Sequence, residues 1–150
     1  CLIHNAGISE YNSFDDLDPE SIKKQFDINA LSPLCMTRSL IKFFNKKSKI
    51  AFITSRMGSI DDNTSGSSYG YRMSKVALSM AAKSLSIDLK EKEIFVAILH
   101  PGLVSTRMTG FTQKGITTND SVSGLLKRID NLNAQNSGTF WHANGEKLSW

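Results

Sequence analysis

Two short apolar runs decide the fold of this chain: KIAFITS at residues 49–55 and EIFVAILH at residues 93–100. Each run is continuous and rich in β-branched and aliphatic residues, which is typical of a strand buried on both faces of a sheet. Between them, residues 69–92 place apolar side chains at helical spacing. A strand, a long helix and a second strand in this order predict a parallel β-α-β unit.

The flanking sequence continues the alternation of strands and helices. Residues 2–4 (LIH) have the character of a buried strand end. Residues 18–20 (DPE) begin a helix, because Asp caps it, Pro fits the first position and Glu favours the positive end of the helix dipole. We expect Pro33 to kink this helical pattern or to divide it into two helices. A short helix at 120–132 and a strand at 139–142 complete the predicted elements.

Length and composition bound the class of protein. The 150 residues, 40% hydrophobic and 21% charged, indicate one globular domain. No run approaches the roughly 20 apolar residues of a membrane span, and Cys1 and Cys35 lack both a disulfide framework and metal-ligand spacing. The net charge of +4 is spread along the chain. We therefore predict a cytoplasmic α/β protein with a parallel sheet, no metal, no nucleic-acid partner and no membrane association.

The residues that could perform chemistry follow the strands, because ligands of such folds bind beyond the carboxyl ends of parallel strands. Tyr71 and Lys75 are four apart on the predicted 69–92 helix, so both lie on one face. A nearby ammonium lowers the pKa of a phenol from about 10, which makes Tyr a usable proton donor. The alternative is an ordinary surface pair. Ser55, at the end of a strand, could hydrogen-bond a substrate carbonyl or simply satisfy loop backbone.

Two further candidate site residues, Asn29 and Gly7, are identified from what their backbone can do. Pro33 leaves the carbonyl of Asn29 without its usual partner, and a freed carbonyl can hold an ordered water; the alternative is a solvent-facing Asn between two helices. Gly7 permits close approach of the backbone to a ligand. We expect His4 and His100 to be buried and hydrogen-bonded. Residues 103–118 have no clear period and are a candidate lid.

Five motifs occur in one order and together resemble the short-chain dehydrogenase/reductase family. They are Asn5-Ala6-Gly7, with His4 where the family's NNAG turn has its first Asn; Asn29 in FDINALSPL; Ser55 in ITSRMGS; the Tyr71/Lys75 YxxxK pair; and Pro101-Gly102 followed by Val104 and Thr106. The stretches SYGYRMSKVALSMAAKSL and SGTFWHANGEKLSW are similar to the subgroup of sniffer-type carbonyl reductases and C-factor-like signalling proteins.

The resemblance implies a Rossmann-type doubly wound parallel sheet and an NAD(P)-dependent enzyme acting on a small carbonyl or alcohol. Tyr71 would exchange the proton at the substrate oxygen, Lys75 would lower the pKa of Tyr71 and bind the nicotinamide ribose, and Ser55 would polarise the carbonyl. Asn29 would hold a water that links Lys75 to solvent. The subgroup favours NADP over NAD.

The resemblance also implies where that cofactor lies. Asn5, Ala6 and Gly7 would lie beside its adenosine and ribose part. Pro101, Gly102, Val104 and Thr106 would face its nicotinamide end. Tyr71 and Lys75 would contact it as well.

One departure from the family is large, because the TGxxxGxG phosphate loop and the residue that selects NAD or NADP are absent from these 150 residues. We therefore expect a single partial domain that lacks its N-terminal β-α-β units and leaves the strand at residues 2–4 with an open edge. Two alternatives remain, a C-factor-like signalling protein and a fragment that binds no cofactor. A homodimer through the helices at 30–46 and 69–92 is also possible.

Overall fold

A computed structural model describes all residues 1–150 and contains a four-stranded parallel sheet. The strands lie in the order β1-β2-β3-β4, and they are β1 (Leu2–His4), β2 (Lys49–Ile53), β3 (Phe95–His100) and β4 (Phe140–His142). Ile50 pairs with Val96, and Ile98 pairs with Phe140. Because all strands are parallel, their carboxyl ends meet at one edge of the sheet, which is the edge where we expected chemistry.

Four α-helices flank the sheet: α1 (Pro19–Phe26), α2 (Ser32–Leu40), α3 (Tyr69–Asp88) and α4 (Thr118–Asp130). The predicted start of α1 is confirmed, since Asp18 accepts a hydrogen bond from the Glu20 backbone N–H at 3.0 Å and Pro19 is the first helical residue. No helix is long and apolar enough to cross a membrane.

Alternate residues of β2 divide the core between the two faces of the sheet. Ile50 and Phe52 pack on the same side as Leu78 and Ala82 of α3. Ala51 and Ile53 pack on the opposite side with Ile129 of α4 and with Leu132. The predicted parallel sheet with helices on both faces is therefore confirmed, and the core fixes which side chains of each strand face α3.

The helical pattern is divided near Pro33 into two α-helices, as predicted, and the division takes the form of a π-helical turn. A π-helical turn, Asp27–Leu31, joins α1 directly to α2, and Pro33 is the second residue of α2. A π-turn widens the helix by one residue, which accommodates a proline ring and its missing N–H without breaking the rod. Such turns recur at functional sites, and this one contains Asn29.

The ends of the other elements differ from the prediction by a few residues. The helix predicted over 69–92 ends at Asp88, and Lys90–Lys92 form a separate 3-10 turn. The strand predicted from residue 93 begins at Phe95, because Glu93 adopts a left-handed φ of 53° that no strand contains. The four strands lie side by side in sequence order, so β1 and β4 are the two edges of the sheet.

Of the two histidines expected to be buried and hydrogen-bonded, His4 matches the prediction and His100 does not. His4 is buried, stacks on Phe52 and bonds Thr37 Oγ1 through Nε2 at 2.8 Å. Thr37 donates its one hydroxyl hydrogen to the Pro33 carbonyl at 2.8 Å, so His4 Nε2 must be the donor. The prediction was wrong for His100, which is partly buried and has no partner for Nδ1.

A pH dependence of stability follows from His100. Burial, His142 and Arg56 lower the pKa of His100 to about 4, with Asp62 acting in the opposite direction. Between pH 6.5 and about 4, His100 is protonated in the unfolded chain but neutral in the folded chain. The free energy of unfolding should therefore fall on acidification, by on the order of 2 kcal/mol after allowance for partial exposure.

Urea unfolding of the wild type and of His100→Gln at pH 7, 6 and 5 measures this effect. We expect His100→Gln to have the shallower dependence on pH. Parallel curves for the two proteins would contradict the assignment.

Candidate active site

Tyr71 and Lys75 lie inside the protein, on the first two turns of α3. Tyr71 is 9% exposed and Lys75 is 4% exposed. The Lys75 ammonium donates to the Ile53 carbonyl at 3.0 Å and lies 5.6 Å from the centroid of the Tyr71 ring. This geometry excludes the alternative of an ordinary surface pair, because both polar groups are withdrawn from solvent at the carboxyl end of β2.

Burial controls the ionisation of both side chains. It raises the pKa of Tyr71, and a hydrogen bond with the Ser55 side chain acts in the opposite direction. We expected Lys75 to lower the pKa of Tyr71, but in this chain the desolvation of the phenol outweighs every other influence. Burial also lowers the pKa of Lys75 to about 8. We therefore expect Lys75 to titrate near pH 8, far below an exposed lysine.

Ser55 is the second residue after β2 and faces the same site. It is buried, and its hydroxyl accepts the Met57 backbone N–H at 3.1 Å, which begins the 3-10 turn Arg56–Gly58. The neighbouring Thr54 was not identified from the sequence. Its hydroxyl lies 3.1 Å from the Lys75 carbonyl and 2.9 Å from Ser79 Oγ, so Thr54 anchors the end of β2 to α3.

Asn29 lies in the π-turn and is fully buried, so the alternative of a solvent-facing Asn is wrong. Its amide donates to Ser74 Oγ at 2.9 Å and to the Ile8 carbonyl at 2.8 Å, and it accepts from the Ile8 N–H at 2.8 Å. Ser74 in turn donates to the Tyr71 carbonyl at 2.8 Å. Asn29 thus joins the segment after β1 to the turn of α3 that contains Tyr71 and Lys75.

Two glycines permit the close approach of loops to Lys75. A Cβ on Gly7 would lie 3.1 Å from Asn29 Oδ1 and 3.4 Å from Lys75 Nζ. A Cβ on Gly58 would lie 2.8 Å from the backbone carbon of Lys75 and 2.9 Å from its Cβ. Gly7 was identified from the sequence, whereas Gly58 was not, because nothing local distinguishes it from any other loop glycine.

The remaining candidate residues lie after β1 and β3, at the same edge of the sheet. Asn5 and Ala6 are exposed there beside Gly7. The Pro101 carbonyl accepts the Ser121 hydroxyl at 2.7 Å, and Gly102 adopts a φ of +89°, which favours glycine.

The predicted lid segment begins with the last two candidates. Val104 forms a parallel bridge with Ile116, and the Thr106 N–H donates to Thr109 Oγ1 at 3.0 Å. A 3-10 turn, Arg107–Thr109, is the other regular structure in this segment.

Chemically, the arrangement combines a phenol, an ammonium with a lowered pKa and a hydroxyl at one strand end. These groups can move a proton at a substrate oxygen and hold that oxygen in place. The turn at Gly7, next to Lys75 Nζ, fits the ribose end of a dinucleotide, because Gly7 has no side chain that would block the ammonium. The described residues contain no group of three or more side chains able to hold a metal ion.

Comparison with known proteins gives three informative similarities. A family model described as short chain dehydrogenase matches residues 1–117. C-signal of Myxococcus xanthus is 41% identical over 152 residues, which cover 99% of this chain and 91% of that protein. The 1-hydroxy-2-glutathionyl-2-methyl-3-butene dehydrogenase of Rhodococcus sp. (strain AD45) is 38% identical and is covered to 67%.

Solved structures agree with this grouping. An NADPH-bound carbonyl reductase from chicken fatty liver superposes with a TM-score of 0.91 at 32% identity. The similarity covers 99% of this chain and 65% of that reductase, so the chain spans about two thirds of its length. These findings confirm the family that the five motifs indicated and the subgroup that the two longer stretches indicated.

The contact between Gly58 and α3 can be tested by substitution. Gly58→Ala should lower the free energy of unfolding by about 1–3 kcal/mol, because the added methyl meets backbone that cannot move away. Gly66→Ala is the matched control. Its Cβ would meet nothing within 4 Å, so it should cost only the strain of a positive φ, about 1 kcal/mol.

Urea unfolding of both variants measures the difference. Equal losses would show that the turn after Ser55 does not press against the backbone of Lys75.

Proposed function

The chain belongs to the short-chain dehydrogenase/reductase family, and from this premise we propose that it is the catalytic portion of an oxidoreductase. The proposed reaction interconverts a carbonyl and an alcohol by hydride transfer, with a small molecule as substrate. The observation that carries the proposal is the burial of Tyr71 and Lys75 together, against the end of the strand that leads to Ser55.

In this proposal Tyr71 donates or accepts the proton at the substrate oxygen. Its phenol is buried, so it stays protonated at neutral pH and can donate a proton as negative charge develops on a carbonyl oxygen. The Lys75 ammonium lies over the face of the Tyr71 ring and stabilises the phenolate once that proton has left. Ser55 holds the substrate oxygen in line through its hydroxyl.

Asn29 supports the relay of protons through its backbone in this proposal. Its side chain is already bonded to Ile8 and Ser74, which leaves its carbonyl as the group that could hold a water. Pro33 has no N–H to occupy that carbonyl. A water there would link Lys75 to solvent and restore its proton after each turnover.

The proposed cofactor is NADP or NAD, and NADP is favoured because the similar chicken reductase is described as NADPH-bound. When bound, the nicotinamide supplies or accepts the hydride. Lys75 and Tyr71 would contact its ribose, and Gly7 leaves room beside Lys75 Nζ. Asn5 and Ala6 would lie along the adenosine side, and the backbone of 101–104 with Thr106 would face the nicotinamide.

A second candidate function comes from the similarity to C-signal, which is 41% identical and covered over most of its length. The chain could act as a signalling protein that keeps the fold without needing turnover. A phenotype that survives Tyr71→Phe would favour this candidate over the enzyme.

The homodimer through α2 and α3 stays a prediction. The apolar surface of these two helices includes Met36, Met80 and Ile87, all exposed.

Substitution of the two neighbouring tyrosines tests the enzymatic proposal. Tyr71→Phe should reduce NADPH-dependent reduction of small aldehydes and quinones by about 10²- to 10⁴-fold, because it removes the proton donor and leaves the ring. Tyr69→Phe is the matched control, since Tyr69 is 36% exposed and has no lysine four residues later.

The assay uses the longest natural form of the protein that contains these residues, with absorbance at the nicotinamide band as the readout. Equal rates for wild type and Tyr71→Phe would refute the assigned role of Tyr71.

A further inference from the structure

Side-chain amides hold the backbone of two residues, Ile8 and Glu10, in the segment from Ile8 to Asn12. Asn29 bonds both the N–H and the carbonyl of Ile8 at 2.8 Å. Gln25 does the same for Glu10, accepting from its N–H at 3.0 Å and donating to its carbonyl at 3.3 Å. In a sheet, a neighbouring strand forms hydrogen bonds with the backbone of every second residue in this way. Here two side-chain amides form those hydrogen bonds.

Both amides come from one side of the helical rod. Gln25 lies in the last turn of α1 and Asn29 lies in the π-turn, four residues later, and both are fully buried. Gly70 of α3 makes room for Gln25, because a Cβ at this glycine would approach Gln25 Nε2 to 2.6 Å. The segment is therefore clamped between the rod and the amino end of α3.

The far end of the segment reaches the first turn of α3 through Asn12. Asn12 is 2% exposed, its Oδ1 accepts the Gly70 N–H at 3.1 Å, and its carbonyl accepts the Ser68 N–H at 2.7 Å. Ser68, the residue at the cap position, has a left-handed φ of 52° and makes no side-chain cap. A helix start needs acceptors for its free N–H groups, and Asn12 supplies one from 58 residues away.

We propose that Asn12 is a positioning residue for catalysis: it caps α3 in place of Ser68 and thereby holds Tyr71 in its buried orientation. Gly70, whose N–H Asn12 accepts, directly precedes Tyr71 in the first turn. The Asn29 and Gln25 amides fix the register of the segment that presents Asn12. This inference rests on the proposed function for its catalytic consequence, while the cap itself is measurable without turnover.

Hydrogen exchange of the wild-type chain tests the cap directly. The Gly70 amide should exchange slowly although it lies in the first turn of a helix, where N–H groups lack intrahelical partners. Exchange of Gly70 as fast as that of an exposed, unbonded amide would overturn the proposal.

Variants of Asn12 separate a positioning role from a general loss of stability. Asn12→Ala removes the acceptor, whereas Asn12→Asp keeps it, and Asn12 Nδ2 makes no hydrogen bond that the carboxylate would lose. Asn131→Ala is the matched control, because it removes a side-chain hydrogen bond of 2.8 Å from the Asn131 amide to the Lys127 carbonyl, at the end of α4.

The readout is the titration of Tyr71, followed by NMR of tyrosine labelled at Cζ. Asn12→Ala should expose the phenol and bring its pKa down toward about 10. Asn12→Asp and Asn131→Ala should keep it raised. In the aldehyde assay, Asn12→Ala should lower kcat about tenfold with little change in KM, as expected when an interaction needed only in the transition state is lost.

The outcomes are distinguishable. An unchanged Tyr71 titration in Asn12→Ala, with a loss of melting temperature equal to that of Asn131→Ala, would make Asn12 merely structural and overturn the proposal. If Asn12→Ala does not fold, the exchange of Gly70 in the wild type decides it. A wild type without any turnover would reject the proposed enzyme and leave the titration result standing.

Discussion

The structure around the site depends on one buried ammonium. Lys75 is almost fully withdrawn from water, and burial of an unpaired ammonium is costly, so its surroundings must offer compensation. The Ile53 carbonyl at the end of β2 accepts one of its hydrogens, and the π-electrons of Tyr71 face it from the same helix. Burial still lowers the pKa of Lys75 to about 8. A pKa that burial shifts this far is characteristic of functional sites.

Several features of the fold make this placement possible. A parallel sheet ends its strands at one edge, so the carbonyl of Ile53, the hydroxyl of Ser55 and the turn at Gly7 come together there. Thr54 ties that edge to the backbone of Lys75. Gly7 and Gly58 allow two loops to approach Lys75 closely, and at Gly58 a side chain would clash with the Lys75 backbone.

The sequence alone could identify groups that carry a local signal. Tyr71 and Lys75 share a helical face by their spacing, Ser55 ends an evident strand, and Asn29 is marked by a proline four residues later. The π-turn could not be predicted, because a proline at that spacing is equally compatible with a kink or a break. Residues such as Thr54, Gly58, Gln25 and Asn12 act through partners tens of residues away, so no local pattern marks them. The direction of the Tyr71 pKa was misjudged because desolvation depends on tertiary burial.

The proposed centre depends on the burial of the Lys75 ammonium, and the most direct measurement is the titration of that group. NMR of the chain with lysine labelled at Cε, assigned by comparison with Lys75→Met, follows this group without turnover or cofactor. We expect a midpoint near pH 8 for Lys75. A Lys75 midpoint near the ordinary value of about 10.4 would place its ammonium in solvent and contradict the proposed centre.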